Sequence, residues 1–220
     1  MEEEGTLWIV VGLGNPGPRY RGNRHNVGFM VVDLLSERGE DLRWRRSERF
    51  ACELSKGQLD TTPVVLVKPQ TYMNLSGTSA GPLVRFYGAA PGRVVVIHDD
   101  VDLELGRLKV KAGGGDGGHK GLRSLSQELG SGDYLRVRFG VGRPEMGDVT
   151  DHVLADFADE ERGIVSDQID RAAEAVTTIM RQGIAAAMNR YNASPKREDN
   201  EPTTNEPTKE PSRNPEQADN

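Results

Sequence analysis

The sequence predicts a single α/β domain: a mixed, twisted β-sheet flanked by helices. Three observations predict it. Short apolar runs rich in β-branched residues, at 7–13, 64–67 and 93–97, alternate with segments whose apolar residues recur at helical spacing. The strongest run, Arg93 to Ile97 (RVVVI), shows no polar alternation, as expected of a central strand buried on both faces. The 220 residues suffice for one such domain with a full core, and no internal repeat divides them.

The elements follow in chain order. Strand 7–13 carries Ile9, Val10 and Val11. Residues 14–22 hold three glycines and two prolines with no apolar rhythm, and so form a loop. Asn23 stands where a helix cap belongs, ahead of Val27, Met30, Val31, Leu34 and Leu35, a period-3.6 pattern that ends near Arg38. The basic stretch RWRRSER, 43–49, reads as a loop. Strands at 50–55 and 64–67 are joined by a turn near 56–62, and Pro69 breaks the second. KPQTYMNLSG is a polar loop leading to a helix that ends near 87–88. Strand 93–97 runs directly into His98, Asp99, Asp100 and Asp102. A strand at 106–111, the glycine loop GGGDGG at 113–118, a helix at 119–129 and a strand at 134–141 follow. Beyond a loop containing Pro144, one helix from about 159 to 191 carries the stripe Val165, Ile169, Ala172, Val176 and Met180. The folded body is residues 1–193. Residues 194–220 hold five of the twelve prolines and no aromatic residue, and read as a disordered tail.

Composition narrows the function. Charged residues make up 28% of the chain, and no apolar run approaches the ~20 residues of a membrane span. The acidic N-terminus MEEEG has no signal-peptide pattern, and the one cysteine, Cys52, fits a reducing cytoplasm. The net charge of -6 is carried by the two ends, since the tail holds four basic and seven acidic residues and Glu2, Glu3 and Glu4 add three more charges. The body is balanced, which still allows a local basic patch suited to a nucleic acid.

Gly12, Gly14 and Gly17 spell GxGxxG, the dinucleotide fingerprint. That motif needs a helix opening inside the glycines, facing a pyrophosphate. Pro16 and Pro18 interrupt it, the helix begins no earlier than Asn23, and no acidic residue ends a second strand at the expected distance. The loop instead delivers His25 to the carboxyl end of a strand, where ligands of open α/β sheets gather. The positive end of a helix favours the neutral imidazole that a general base requires. Asp99, at the end of the central strand, belongs to the same sheet edge. A carboxylate there accepts the proton of Nδ1, fixes the tautomer and leaves Nε2 to take a proton from water. His98, Asp99, Asp100 and Asp102 also suit a divalent ion, but no HExxH or CxxC spacing accompanies them and no metal is expected. Asn15 and Asn74 each sit in a loop, beside a proline and a methionine, and two amides facing one pocket hold a peptide backbone or polarise a carbonyl. Met73 offers an adaptable apolar surface. Lys109 and Lys111 are two apart on one strand, as are Arg136 and Arg138 on another, so each pair shares a face beside GGGDGG, ready for phosphates.

With those residues in place, GLGNPGPRYRGNRHNVGF, KPQTYMNLSG and HDDVDLELGRLKVKAGGGDGGHKGLRSL, in this order and spacing, resemble the bacterial peptidyl-tRNA hydrolase family over residues 7–192. The resemblance implies a monomeric α/β enzyme with no cofactor, cleaving the ester between a nascent peptide and the 3′ ribose of tRNA. It implies His25 as base, Asp99 as its orienting acid, and Asn15 and Asn74 as holders of the peptide end and scissile carbonyl. It further implies Tyr20 and Met73 as site-lining contacts, and Lys109, Lys111, Arg136 and Arg138 as contacts to the acceptor stem. One position departs: Lys120 stands where the family commonly has an asparagine that orders water and substrate, and lysine donates but cannot accept a hydrogen bond. A relative that binds RNA without hydrolysing it is the main alternative, and a nucleotide-dependent oxidoreductase rests on GxGxxG alone.

Overall fold

The computed structural model describes residues 7–193, so the acidic ends and the expected tail lie outside the described residues. The strands are β1 (Trp8–Gly12), β2 (Arg45–Ser47), β3 (Cys52–Leu59), β4 (Thr62–Pro69), β5 (Val94–Asp100), β6 (Leu108–Ala112) and β7 (Leu135–Gly140). The helices are α1 (Val27–Arg38), α2 (Ser76–Phe86), α3 (Lys120–Leu129), α4 (Val149–Leu154), α5 (Arg162–Gln182) and α6 (Ile184–Tyr191). The sheet runs β2-β3-β4-β1-β5-β7-β6. β4, β1, β5 and β7 are parallel, while β2, β3 and β6 pair antiparallel. This is the expected mixed sheet, with β5 in its interior.

Alternate residues of each strand feed two apolar layers. Trp8 and Val10 pack with Val31 and Leu35 of α1 and with Val176 and Ile179 of α5. Ile9 and Val11 pack on the other face with Leu83 of α2 and Leu125 of α3. Each such fully buried aliphatic side chain stabilises the fold by about 1.5–3 kcal/mol. The close approach of α1 to β1 depends on glycine. A Cβ on Gly12 would stand 2.2 Å from the carbonyl oxygen of Gly28, and one on Gly28 would stand 2.4 Å from Leu13 N. Two fingerprint glycines are therefore packing residues, since a Cβ on Gly14 would also meet the Phe29 ring at 2.7 Å, while Gly17, in open space, is needed for its φ of +108°.

Four expectations change. Part of the 43–49 stretch is a strand, because Arg45–Ser47 borrows the ladder of β3 as a charged edge. β3 and β4 are longer than expected and joined at a tight turn where Asp60 takes φ +54°. Asn23 gives its side chain to no cap. Its Nδ2 donates to Leu154 O, and residues 24–26 form a separate 3-10 turn before α1. The long C-terminal helix is two helices, since Gly183 at φ +85° bends the chain between them. After α6, Asn192 accepts from Val110 N (2.6 Å) and donates to Val110 O (2.9 Å), sealing the outer edge of β6.

Candidate active site

Three segments meet at the carboxyl ends of β1 and β5. The first is the loop after β1 with the turn Arg24–Asn26; the second is the turn Met73–Leu75; the third is the start of α3. Asn26, a residue the sequence did not single out, ties the first segment together and so holds Asn15, which reaches the second. Its Oδ1 accepts from Asn15 N (2.9 Å) and its Nδ2 donates to Asn15 O (3.0 Å). Asn15, thus held, uses Oδ1 to accept from Met73 N (2.8 Å). Its acceptor is committed, so what it has left to offer a ligand is the Nδ2 donor. Met73 is not the expected surface. It is 4% exposed, because the missing side chain of Gly121 lets its sulfur pack against the start of α3. The exposed apolar groups of that turn are its neighbours Tyr72 and Leu75, and Asn74 is exposed between Met73 and Leu75.

His25 Nδ1 lies 2.8 Å from Asp99 Oδ1. The same oxygen lies 3.0 Å from His119 Nε2. A carboxylate only accepts, so both nitrogens carry hydrogens. His119 Nδ1 caps α3 by accepting from Gly121 N (3.1 Å) and Leu122 N (3.3 Å), which fixes its Nε2–H tautomer independently. His25 is left with an Nε2 lone pair. Burial would raise the Asp99 carboxyl, but the charge and hydrogen bonds of His25 and His119 outweigh it and hold the group below the usual carboxylate range. Asp99 is thus a fixed anion. His119 is a functional residue missed from the sequence, although a histidine directly after GGGDGG and before an amphipathic pattern marks a cap position.

His25, Asp99 and His119 are the group closest to a metal-ligand set among the described residues. His119 does not fit that use. A metal on Nε2 would require the proton on Nδ1, which would then face the two backbone N–H groups of α3. The four residues 98, 99, 100 and 102 do not converge either. Asp100 Oδ2 accepts from Arg138 Nε (2.7 Å), Asp102 accepts from Arg143 (2.6 and 2.9 Å), and His98 Nδ1 is 2.7 Å from Asp99 O.

His25, Asp99 and His119 open into a cavity of about 370 Å³. Lys120, Lys111 and Arg138 also line it, and so do Val149, Thr150 and Val153 of α4. The four expected cations form one block, because Lys109 stands opposite Arg138 and Lys111 opposite Arg136 across β6 and β7. Arg136 departs from expectation. It is 3% exposed, and its guanidinium donates to the carbonyls of Gly114, Gly115 and Gly132, holding the glycine loop from within. Its place is beneath the surface that Lys109, Lys111 and Arg138 present. Arg143, unremarked in the sequence, adds a cation at the cavity. Tyr20 lies in its own 3-10 turn, where Arg19 donates to its hydroxyl and stacks on its ring at 4.5 Å, outside the cavity lining.

The chain's similarities lie within one family. The family model "Peptidyl-tRNA hydrolase" matches residues 9–200. A peptidyl-tRNA hydrolase of Frankia alni is 48% identical over 188 residues, covering 84% of this chain and 94% of that relative. One from Caldanaerobacter subterraneus is 45% identical over 187 residues, covering 84% of this chain and 100% of its own length. The crystal structure of peptidyl-tRNA hydrolase from Acinetobacter baumannii superposes with a TM-score of 0.81 at 34% identity, covering 88% of this chain and 98% of that one.

Proposed function

The chain belongs to the peptidyl-tRNA hydrolase family, and from that membership we propose how it hydrolyses the ester of peptidyl-tRNA. The observation that carries the mechanism is the 2.8 Å contact between His25 Nδ1 and Asp99 Oδ1. His25 Nε2 takes a proton from a water as the water oxygen bonds to the ester carbonyl carbon. Asp99 stays ionised and stabilises the imidazolium that forms. His119 steadies Asp99 from the other side. Asn74 and backbone N–H groups meet the oxyanion, where one such donor is worth about 3 kcal/mol in studied cases. The intermediate collapses, the bond to the ribose 3′ oxygen breaks, and His25 returns the proton to that oxygen. Free tRNA and a peptide carboxylic acid leave, and the acid gives its proton to solvent. No group other than water and these side chains enters the balance.

Asn15 holds the peptide end through Nδ2, and Tyr20 flanks that end with the Tyr72–Leu75 surface. Lys120 reaches a phosphate or the oxyanion from the first turn of α3. Lys109, Lys111 and Arg138 meet acceptor-stem phosphates. The protein acts as a cytoplasmic monomer. The lone cysteine supports the compartment; no described helix is long and apolar enough to cross a membrane.

The test is hydrolysis of N-acetyl-aminoacyl-tRNA in EDTA by wild type and His25→Ala. Wild type cleaves, and the substitution lowers the rate by roughly 100-fold or more. Failure of wild type to cleave, with tRNA still bound, would establish the alternative of a non-hydrolysing RNA-binding protein and implicate Lys120.

A further inference from the structure

We infer that Arg24 is a positioning residue that makes the turn carrying His25 and the cavity wall formed by α4 a single body. It acts on the proposed hydrolysis through His25, without touching substrate, and the inference rests on that reading of the site.

Arg24 directly precedes His25 and is 7% exposed. Its guanidinium is absent from the cavity lining and points instead into residues 155–161. Nη1 donates to the carbonyl oxygen of Asp156, and Nη2 donates to Glu161 Oε2 at 2.6 Å. The guanidinium carbon lies 4.8 Å from the centroid of the Phe157 ring. The backbone joins in, with Arg24 N donating to Ala155 O (3.1 Å), Asn23 Nδ2 to Leu154 O, and Asn23 bridging Asp156 in antiparallel fashion. Glu161 Oε2 also accepts from Ala158 N (2.7 Å), so the same carboxylate closes its own segment and receives Arg24.

These bonds fall on the last residue of α4 and the segment just after it, and Val153 of α4 faces the cavity together with Val149 and Thr150. On the other side of α4 the chain is built differently. Gly142 and Gly147 take φ +70° and +99°, and Met146 is 90% exposed. α4 is thus clamped at its C-terminal end to the two residues before the proposed base, while its N-terminal end joins a glycine-bearing loop. Lysine cannot replace the clamp, because a point ammonium has neither the planar fork that reaches a carbonyl and a carboxylate together nor the face that stacks on Phe157.

The test uses full-length Arg24→Lys, Glu161→Gln and Glu161→Ala with the same tRNA substrate, at a temperature where circular dichroism shows each folded. Arg24→Lys lowers kcat roughly 10- to 100-fold, as expected for a displaced catalytic group, with KM changed by less than about threefold. Glu161→Gln keeps an acceptor and stays near wild type, while Glu161→Ala follows Arg24→Lys. Hydrogen–deuterium exchange then rises together in 23–27 and in 152–157. Unchanged kcat in both Arg24→Lys and Glu161→Ala overturns the inference, as does increased exchange confined to 154–161. If wild type itself fails to hydrolyse the substrate, the functional reading fails, and the joint or separate exchange of the two segments still decides for or against Arg24. Should Arg24→Lys not fold, Glu161→Ala carries the comparison.

Discussion

His98 shows how burial at a single residue sets a property of the whole. Its Nδ1 donates to Asp99 O, its Nε2 is buried with no partner among the described residues, and its ring meets His119 edge-on at 5.1 Å. Burial, followed by the charge of His119, pushes its pKa down to about 3 from 6.5. The sign follows directly. Between those values the unfolded chain binds a proton that the folded chain refuses, so stability rises with pH and is lost as pH falls below about 6.5. One such proton is worth about 1.4 kcal/mol per pH unit. In His98→Asn the amide Nδ2 replaces the Nδ1 donor and nothing titrates. Urea unfolding at pH 6.5 and pH 5 is expected to show the variant losing about 2 kcal/mol less than wild type between the two. Equal losses would clear His98 of the acid sensitivity. In the sequence His98 was one of four metal candidates, because adjacency to three aspartates is visible and the inward turn of its ring is not. That His25 and Asp99 meet at one sheet edge was legible, because one follows the loop after β1 and the other follows the apolar run of β5. Arg136 and His119 were not: alternation placed Arg136 on the right face, but only the fold of the glycine loop covers it, and His119 gains meaning once Asp99 proves to have a second donor.

At the scale of elements, what the sequence disclosed was whatever long apolar runs control. β1, β4 and β5 announce themselves through β-branched residues, and α1 ends at Arg38 as its period predicts. β2 could not be read, since three residues, two of them arginine, carry no period and exist as a strand only through the partners Leu54, Glu53 and Cys52. α4 is six residues long, too short for a helical period, though Asp148 caps it by accepting from Thr150 N. The break at Gly183 was hidden because the apolar stripe of α5 gives no sign of the bend. The contact that places the site is glycine against backbone. A Cβ on Gly28 would meet Leu13 N and O at 2.4 Å and Ile97 O at 2.6 Å, none of which is a flexible side-chain end. Gly28→Ala must therefore push α1 away from β1 and β5, carrying His25 from Asp99. Thermal melts should show a loss of about 3 kcal/mol or more, with activity falling further than stability explains. Gly163→Ala is the control, an α5 glycine with open space and no positive φ, expected to be neutral or stabilising by up to about 1 kcal/mol. Similar behaviour of the two would show that the α1–β1 contact relaxes freely.

Over the whole molecule, positive charge is concentrated locally, with no global excess. The net charge is -6 and the folded body is balanced, so no long-range positive field draws in tRNA. On the function proposed above, attraction comes from the block on β6 and β7, where acids already occupy part of it: Arg138 is paired with Asp100, and Arg143 with Asp102. Lys109 and Lys111 have no ion pair among the described residues, and Lys111 reaches over Gly114 at the cavity. Arg136 sits beneath them, bonded to three carbonyls. The two kinds of cation should therefore fail differently. Each phosphate neutralised contributes about 0.9 to the slope of log K against log salt. Lys111→Ala is expected to make that slope shallower by about one and to weaken binding most at low salt. Arg136→Lys keeps the charge but cannot hold three carbonyls with one ammonium, so it should leave the slope nearly unchanged and weaken binding at every salt concentration by loosening the glycine loop. Titrating deacylated tRNA between 50 and 200 mM salt separates the two behaviours. A slope change of about one in Arg136→Lys would mean that this guanidinium leaves its carbonyls when tRNA arrives, and that the basic block is assembled by the substrate instead of waiting for it.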